Sequence, residues 1–406
     1  MKRGYLSQFF KGIAAKQLRA VEADISASHQ HEFNGVSSLK SLFGTERKTF
    51  DSVFIYLNDS DDDPPVEEGF VTWYDSRINQ PKRSSEFRLF FKDTSVSACA
   101  SAGDELFIGL RPDDTVLVII AKHHSTVCNQ LRWLFGIEED SGSGFSVRDK
   151  LEGEQDRLNF ASRLILENLG IEATDTDENY LDEMLQRFQG KYPSTKDFSE
   201  YARSTLTKIS ALDNPDSVLI TWWEQEDILF RTFEKYLVEN WLKHDFNFEV
   251  DSFISYSLSV QNRRKSRAGQ AFENHLECIF SSRGISYTRT PITEGKSKPD
   301  FLFPGIEEYR DEAFPDADLT MLAAKTTCKD RWRQVLTEAE RIPHKHLITL
   351  ETSITRDQTD EMRRDNLQLV IPSVLHKTYE PSQQEWLMTL TDFIEMVQEH
   401  ESSVLV

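Results

Sequence analysis

The chain has 406 residues, 68 of them acidic and 47 basic, and its formal net charge is −21 at pH 7. A length of this order favours two domains, each large enough to bury a core of its own. The negative charge argues against non-specific polyanion binding by the whole surface. A local basic cleft is compatible with it, because charges are screened over about 10 Å.

The sequence contains no segment with the apolar length of a signal peptide core or of a transmembrane helix, which predicts a protein without membrane association. Its four cysteines are widely separated and show neither a CxxC pair nor a Cys/His spacing typical of metal sites. They are expected to be reduced thiols of a cytoplasmic protein. These cysteines are Cys99, Cys128, Cys278 and Cys328.

Residues 1 to about 140 are rich in short β-type segments separated by turn residues, which predicts a small barrel or sandwich. Four charged residues at the end of one predicted strand are candidates for contacts to phosphates or bases, with a solvated hairpin loop as the alternative. The predicted strands cover 54–57, 70–74, 87–91, 106–108 and 116–120, and the charged residues are Lys82, Arg83, Glu86 and Arg88.

A flexible connection is expected at 141–148, followed by an acidic region with a helical pattern. Within that region, 171–177 lacks periodicity and is a candidate hinge. The long amphipathic segment 218–244 carries aromatic residues at helical spacing, which is typical of a core helix or a dimer interface. The alternative is that Trp222 or Trp223 stacks on an exposed base.

A basic cluster opens a further helical segment at 262–280 and is a candidate contact to a phosphate backbone. Glu273 follows on the same helix. A single helical Glu is normally solvated, and the alternative is that Glu273 belongs to an acidic metal site. The basic cluster consists of Arg263, Arg264, Lys265 and Arg267.

The stretch 298–341 holds the clearest set of candidate catalytic residues. Asp300 precedes a short apolar run that predicts a buried strand, and Lys325 ends a second apolar run. A helix is predicted over 330–341 from apolar residues at helical spacing, which leaves Glu338 on its polar face. One Asp, one Lys and one Glu are therefore expected to converge. The apolar positions of the predicted helix are Trp332, Val335, Leu336 and Ala339.

Those three residue types match the needs of phosphodiester hydrolysis. Mg²⁺ prefers one or two carboxylates together with water and phosphate oxygens, and an ammonium group is suited to orienting the attacking water. Asp300 and Glu338 would supply the carboxylates and Lys325 the ammonium. Spacing alone leaves an ordinary strand–strand–helix unit open, because Pro-Asp is a common turn pair and Lys is common at solvated strand ends.

The C-terminal part of the chain alternates strands with helices, which predicts an α/β domain. The predicted strands cover 319–328, 346–350 and 367–371, and the remaining predicted helices cover 358–365 and 384–399.

Four stretches resemble the catalytic domain of EcoRII-like type II restriction endonucleases: SVQNRRKSRAGQAFENHLE, ITEGKSKPDFLFPG, MLAAKTTCKDRWRQVLTEAERI and VIPSVLHKTY. The resemblance covers roughly 190–406. It implies an α/β PD-(D/E)xK restriction-endonuclease-like catalytic domain at 191–406 and a hinge at 171–190. It also implies a β-rich, B3-like pseudobarrel DNA-binding domain at 1–170, which the motifs WYDSR, PKRSSEFR and HHSTVCNQLRWLFG match in part.

The resemblance implies a subgroup of these nucleases in which the second carboxylate has moved along the chain. The usual position of that acid, two residues before the lysine, is Ala323 here. Asp300, Lys325 and Glu338 match the catalytic positions, with Asp300 and Glu338 holding Mg²⁺, and Glu273 matches an additional helix acid.

The same resemblance implies how DNA would be recognised. The triplet Lys329, Asp330 and Arg331 would read base edges, since Lys and Arg donate to guanine and Asp accepts from cytosine. A CC/GG half-site follows, within a sequence similar to CCWGG or CCNGG, and the central base pair would be flipped out of the stack.

The implied protein is a homodimer that cleaves double-stranded DNA. A cognate DNA methyltransferase would act on the same site without having to bind this chain. The N-terminal domain would bind a second DNA copy and regulate cleavage. Two alternatives remain open: a DNA-binding regulator with an inactive nuclease fold, and a nuclease whose N-terminal domain recognises modified or unrelated DNA.

Overall fold

The structure is a computed structural model. It describes residues 2, 4–23, 31–33, 36–60, 64–80, 82–138, 144–173, 177–244, 249–327, 331–352 and 354–404. The chain forms two compact units. Unit 1 comprises Met1–Ile165, Thr352–Thr355 and Thr378–Glu380, and unit 2 comprises Leu166–Glu351, Arg356–Lys377 and Pro381–Val406.

Unit 1 is built on a sheet of eight strands in the order β2-β5-β4-β3-β7-β6-β1-β8. Only the pair β3 and β7 is parallel among these neighbours. The strands are β1 (Gly12–Gln17), β2 (Glu32–Phe33), β3 (Lys48–Leu57), β4 (Val66–Asp75), β5 (Phe87–Phe91), β6 (Glu105–Leu110), β7 (Val116–Ala121) and β8 (Ser146–Arg148). The helices are Ala20–Ala23, Lys40–Phe43, Ser95–Cys99, Thr126–Phe135 and Phe160–Asn168, the last of which reaches into unit 2.

All five strands predicted for this half of the chain are confirmed, because each has the β-branched and aromatic composition that suits a pleated, packed surface. The strands β1, β2 and β8 were missed, and β8 corrects residues 146–148 of the predicted flexible connection 141–148. The sequence of β1, GIAAKQ, lacks that composition, and its partners in β6 and β8 lie 88 to 135 positions away in the chain. Trp73 and Phe54 are fully buried members of the core that this sheet covers.

Unit 2 contains a five-stranded sheet in the order β13-β12-β11-β10-β9. The strands β11, β12 and β13 are parallel, whereas β9 and β10 are antiparallel to their neighbours. The strands are β9 (Thr288–Arg289), β10 (Phe301–Phe303), β11 (Thr320–Lys325), β12 (Lys345–Thr349) and β13 (Leu367–Val370). The helices are Leu181–Phe188, Thr195–Thr205, Pro215–His244, Val250–Ser282, Ile306–Arg310, Trp332–Val335, Arg356–Arg364, Pro381–Gln384 and Leu390–Val404. The predicted α/β arrangement is confirmed.

The long aromatic helix Pro215–His244 packs against the helices Thr195–Thr205 and Val250–Ser282. Its Phe230 and Phe233 belong to a buried aromatic cluster. Trp222 is only 3% exposed and its ring centroid lies 5.8 Å from that of His275. Of the two roles considered for this helix, core packing is therefore the one that applies to Trp222.

Three further predicted elements need correction. The helix predicted over 330–341 is confined to Trp332–Val335, and the chain then turns, with Ala339 at a φ of +46°. Most of the apolar residues at helical spacing are buried, as predicted. One helical turn followed by a tight loop buries them as well as a longer helix would. The helix predicted over 384–399 is split into Pro381–Gln384 and Leu390–Val404, because Met388 pairs with Val370 between them.

The third correction concerns the segment that contains the predicted hinge. Leu181–Phe188 is a helix whose Met184 is fully buried in the aromatic cluster, so this part of 171–190 is packed structure. Residues 174–176 of the hinge and 141–143 of the predicted flexible connection lie outside the described residues. Within the described part of the chain, no helix is both long enough and apolar enough to cross a membrane.

Candidate active site

Asp300 and Lys325 lie side by side at one end of the antiparallel pair β10 and β11. Phe301 stands opposite Leu322 in this pair, so the residue before Phe301 is adjacent to the last residues of β11. Asp300 Oδ2 accepts hydrogen bonds from the backbone N–H of Ala324 and from Lys325 Nζ, both at 2.7 Å. The Asp300 side chain is 12% exposed and that of Lys325 is 29% exposed, so the pair is sheltered but open to solvent on one side.

Glu338 carries the third charge of this group. Burial raises the pKa of its carboxyl to about 7, an effect opposed by the positive charge of Lys325 and reinforced by the negative charge of Asp300. Its Oε2 is buried and has no hydrogen-bond partner among the described residues. A carboxylate in this state favours a proton or a cation as its partner.

The loop that carries Glu338 is held by a lysine that the sequence did not single out. Lys345, on β12, is 6% exposed, and its Nζ donates to the carbonyl of Ile342 at 2.6 Å and to that of Ala339 at 3.4 Å. Burial lowers the pKa of Lys345, while the charge of Glu338 opposes that shift. In the sequence, Lys345 stands before an apolar run, a position that usually indicates a solvated strand end.

Glu273 approaches the same group from the helix Val250–Ser282. Burial is the main factor that raises its pKa, the charge of Asp300 raises it further, and the hydrogen bond and charge of Arg289 lower it. Arg289 Nη2 lies 2.9 Å from Glu273 Oε2. The charges of Asp300 and Lys325 act on the pKa of both Glu338 and Glu273, so the four predicted residues lie in one neighbourhood. Two of them reach it from elements that the sequence located incompletely.

The donor chemistry of this group fits Mg²⁺. Among the described residues no set of three or more His, Cys, Asp or Glu side chains is arranged to hold a metal. Mg²⁺ in phosphate-processing sites needs only one or two carboxylates, because water and the substrate complete its coordination. Asp300 would supply one carboxylate, and Glu338 a second, whose buried Oε2 has no hydrogen-bond partner among the described residues.

Of the three residues predicted to read bases, the structure describes only Arg331, which is exposed at the start of the short helix Trp332–Val335. Lys329 and Asp330 lie outside the described residues.

The basic cluster near the start of the predicted helix 262–280 divides into residues with different surroundings. Arg267 is 7% exposed and donates to Asp227 at 2.6 Å and to Glu226 at 3.4 Å. Its proposed contact with a DNA backbone is therefore corrected, since its charge is already neutralised within unit 2. Lys265 is exposed on the helix surface.

The other two members of the cluster are partly engaged. Arg264 Nε donates to Glu234 at 2.6 Å, and half of the Arg264 side chain remains exposed. The Arg263 guanidinium carbon lies 3.9 Å from the ring centroid of Tyr192.

In unit 1, two of the four predicted contacts belong to an ion-pair network at the end of β5. Arg88 donates to Glu32 and to Glu86, each at 2.6 Å, and Glu86 also pairs with Arg77. These bonds give Glu86 and Arg88 a structural role that the sequence did not indicate. Lys82 and Arg83 are exposed in the adjoining turn.

Comparison with known proteins shows which proteins the chain is similar to. Residues 230–394 match the family model described as EcoRII C terminal, and this range includes all four residues of the site. The chain is 42% identical over 231 residues to the type II restriction enzyme EcoRII from Escherichia coli, covering 57% of this chain and 56% of that enzyme. It is 27% identical over 168 residues to the type II restriction enzyme SsoII from Shigella sonnei, covering 38% of this chain and 53% of that enzyme.

Two solved structures match part of the chain. Metal-depleted Ecl18kI in complex with uncleaved DNA matches with a TM-score of 0.46 and 20% identity, covering 55% of this chain and 84% of that one. The restriction endonuclease PspGI in complex with substrate DNA matches with a TM-score of 0.45 and 16% identity, covering 52% of this chain and 94% of that one. Because both TM-scores are below 0.5, the family assignment rests on the sequence relatives. The chain spans just over half the length of those relatives. The chain is EcoRII-like: it is a homologue of the type II restriction enzymes EcoRII and SsoII, with an EcoRII C-terminal domain at residues 230–394.

Proposed function

We propose that the chain is a type II site-specific deoxyribonuclease that hydrolyses both strands of double-stranded DNA. The observation that carries the proposal is the 2.7 Å pair between Asp300 and Lys325, next to a Glu338 carboxyl whose pKa is raised to about 7. A structural ion pair would not require a second, largely buried acid beside it, because burying that charge costs free energy. A nuclease requires such an acid as a metal ligand.

In the proposed mechanism, Asp300 and Glu338 would hold Mg²⁺, which when bound neutralises charge on the phosphate and favours ionisation of a water molecule. Lys325 would position the attacking water, and Asp300 would in turn fix the Lys325 ammonium. The water oxygen forms a bond to phosphorus while the bond to the 3′ oxygen breaks. The attacking water releases a proton to solvent and the 3′ oxygen takes up a proton from solvent, which leaves a 5′-phosphate and a 3′-hydroxyl. Glu273 would assist from the helix.

The proposed target is a site similar to CCWGG or CCNGG, with Lys329, Asp330 and Arg331 reading the CC/GG half-site. The types of these three residues support it, as does the exposure of Arg331. Extrusion of the central base pair is part of the same proposal.

The remaining elements of the proposal concern regulation and partners. The N-terminal domain, proposed to be B3-like and to span 1–170, would bind a second DNA copy and restrain cleavage until it does so. Lys82 and Arg83, which are exposed, are its candidate contacts. A symmetric site would be cut by a homodimer with one active site for each strand, in the cytoplasm. A DNA methyltransferase would protect the same sequence.

The test is to incubate the purified chain with plasmids that contain or lack CCNGG sites, with Mg²⁺ or with EDTA. We expect Mg²⁺-dependent cuts whose mapped ends all fall at one sequence. Lys325→Ala should lose cleavage and keep specific binding, whereas Lys208→Ala, at an exposed lysine outside the site, should cut like the unaltered protein.

Two results would overturn parts of the proposal. Specific binding without cleavage under any divalent ion would indicate a DNA-binding regulator with an inactive nuclease fold. Cleavage by the Lys325→Ala variant would show that the catalytic residues are assigned wrongly. Binding of the N-terminal domain to methylated, unmethylated and scrambled duplexes would show whether that domain recognises the same site.

A further inference from the structure

Arg289 connects three side chains on one face of the helix Val250–Ser282. Its guanidinium donates to Glu273 at 2.9 Å, to Asn274 at 2.9 Å and to Glu277 at 2.7 Å. Glu273 and Glu277 lie one helical turn apart, so their like charges would repel each other without an intervening cation. The Arg289 side chain is 24% exposed, which limits screening of these bonds by solvent.

The backbone of Arg289 is fixed to the strand that follows Asp300. In the pairing of β9 with β10, Arg289 stands opposite Phe301. The next residue, Thr290, adopts a φ of +51° and donates its N–H to the carbonyl of Asp300 at 2.9 Å. Arg289 therefore joins the strand that follows Asp300 to the helix that carries Glu273.

This arrangement links two acids, Asp300 and Glu273, that come from separate elements. Asp300 is positioned by its hydrogen bonds to Ala324 and Lys325, which lie within the sheet. Glu273 has no such anchor in the sheet other than Arg289, among the contacts of the described residues. A planar guanidinium with several donors fixes the direction of a carboxylate better than an ammonium does.

We infer that Arg289 is a positioning residue that holds the carboxylate of Glu273 at the Asp300–Lys325–Glu338 site, with Glu277 as its second anchor outside that site. The inference rests on the proposed nuclease function, because it assigns Glu273 a part in that site. It concerns this chain's own residues and does not depend on which DNA sequence is cut.

The test compares Arg289→Gln, Glu273→Gln and the double variant in single-turnover cleavage at several Mg²⁺ concentrations. We expect each single variant to lose roughly 10–100-fold in rate or in apparent Mg²⁺ affinity, as is usual when the partner of a metal-site residue is removed. The double variant should lose no more than the worse single variant, since both changes remove the same interaction. Arg289→Lys should lose less than Arg289→Gln, because its ammonium keeps the positive charge but lacks the planar set of N–H donors of a guanidinium.

Glu277→Gln is the matched control. It removes a carboxylate that Arg289 binds at 2.7 Å, so it disturbs the same guanidinium without removing an acid from the site. We expect it to lower thermal stability about as much as Glu273→Gln, and to weaken the Mg²⁺ dependence of cleavage less than Arg289→Gln does, because the bond between Arg289 and Glu273 remains.

A readout independent of cleavage is calorimetric binding of Ca²⁺ to the protein–DNA complex. Arg289→Gln should weaken Ca²⁺ binding by a factor similar to that for Glu273→Gln, and Glu277→Gln should weaken it by a smaller factor. Additive losses in the double variant, or losses in all three single variants that follow their melting temperatures, would overturn the inference. If the unaltered protein binds Ca²⁺ but never cleaves, the proposed function fails and the calorimetric comparison still decides the role of Arg289. Equal Ca²⁺ binding by all variants would overturn the positioning role of Arg289.

Discussion

Asp300 and Lys325 are joined by a 2.7 Å hydrogen bond between the carboxylate Oδ2 and the ammonium Nζ. The same oxygen accepts a hydrogen bond from the backbone N–H of Ala324, so the carboxylate is fixed to the backbone of β11 as well as to the lysine. A flexible lysine side chain is thus held in one position by a rigid partner. Such preorganisation is what positioning of an attacking water would require.

The first prediction concerns competition between protons and Mg²⁺. The pKa of Glu338 is about 7 without metal, so a growing fraction of this carboxyl is protonated as the pH falls below 7. A proton must then leave for each ion bound, and apparent Mg²⁺ affinity should weaken by up to about tenfold per pH unit. Mg²⁺ titrations of cleavage at pH 6, 7 and 8 measure this. An affinity that stays constant over that range would contradict it.

The second prediction concerns stability. The pKa of Glu338 is raised from 4.5 to about 7, so the folded protein holds this proton more tightly than the unfolded chain does. Ionised Glu338 therefore destabilises the fold increasingly as the pH rises through this window, and the cost is complete above it. In EDTA at pH 8, Glu338→Gln should raise the free energy of unfolding by on the order of 2–3 kcal/mol.

The measurement is urea denaturation of both proteins at pH 8 and near pH 5, where most of the gain should disappear. A Glu338→Gln variant that is less stable than the unaltered protein at pH 8 would show that the carboxylate is already satisfied without a metal.

The third prediction separates two members of the basic cluster. Arg267→Met removes a partner from the buried acids Glu226 and Asp227, so it should lower the free energy of unfolding by roughly 3–5 kcal/mol. Lys265→Met should change stability by less than about 0.5 kcal/mol. If Lys265 contacts a phosphate, its loss should reduce the salt dependence of DNA binding by about one unit of slope.

Chemical denaturation and DNA binding at several salt concentrations measure both effects. Equal stability of the two variants would contradict the structural role assigned to Arg267.

The fourth prediction concerns base recognition by Arg331, which is exposed at the start of the helix Trp332–Val335. Arg331→Ala should cost roughly 1–3 kcal/mol in discrimination between the proposed CC/GG half-site and single-base variants of it. Binding measured on matched and altered duplexes at one salt concentration tests this. A loss of equal size on every duplex would make Arg331 a phosphate contact instead.

The amino-acid sequence by itself determined most of the strands of both units and the positions of Asp300 and Lys325 at the ends of two of them. Apolar runs such as 301–303 are buried wherever they fold, and charged residues that flank two adjacent antiparallel strands are brought together by local pairing. The relation of Glu338 to this pair was predicted from its spacing, and that of Glu273 from the family resemblance.

The tertiary structure alone decided how those two acids are held. Glu338 lies in a loop stabilised by Lys345, and Glu273 is bound by Arg289, which is 16 positions further along the chain. Arg267 resembles its basic neighbours in sequence, yet it is buried because Glu226 and Asp227 lie on the helix packed against it, some 40 positions away. The partner that a charged side chain acquires depends on which distant segments pack together, and local periodicity does not record that packing.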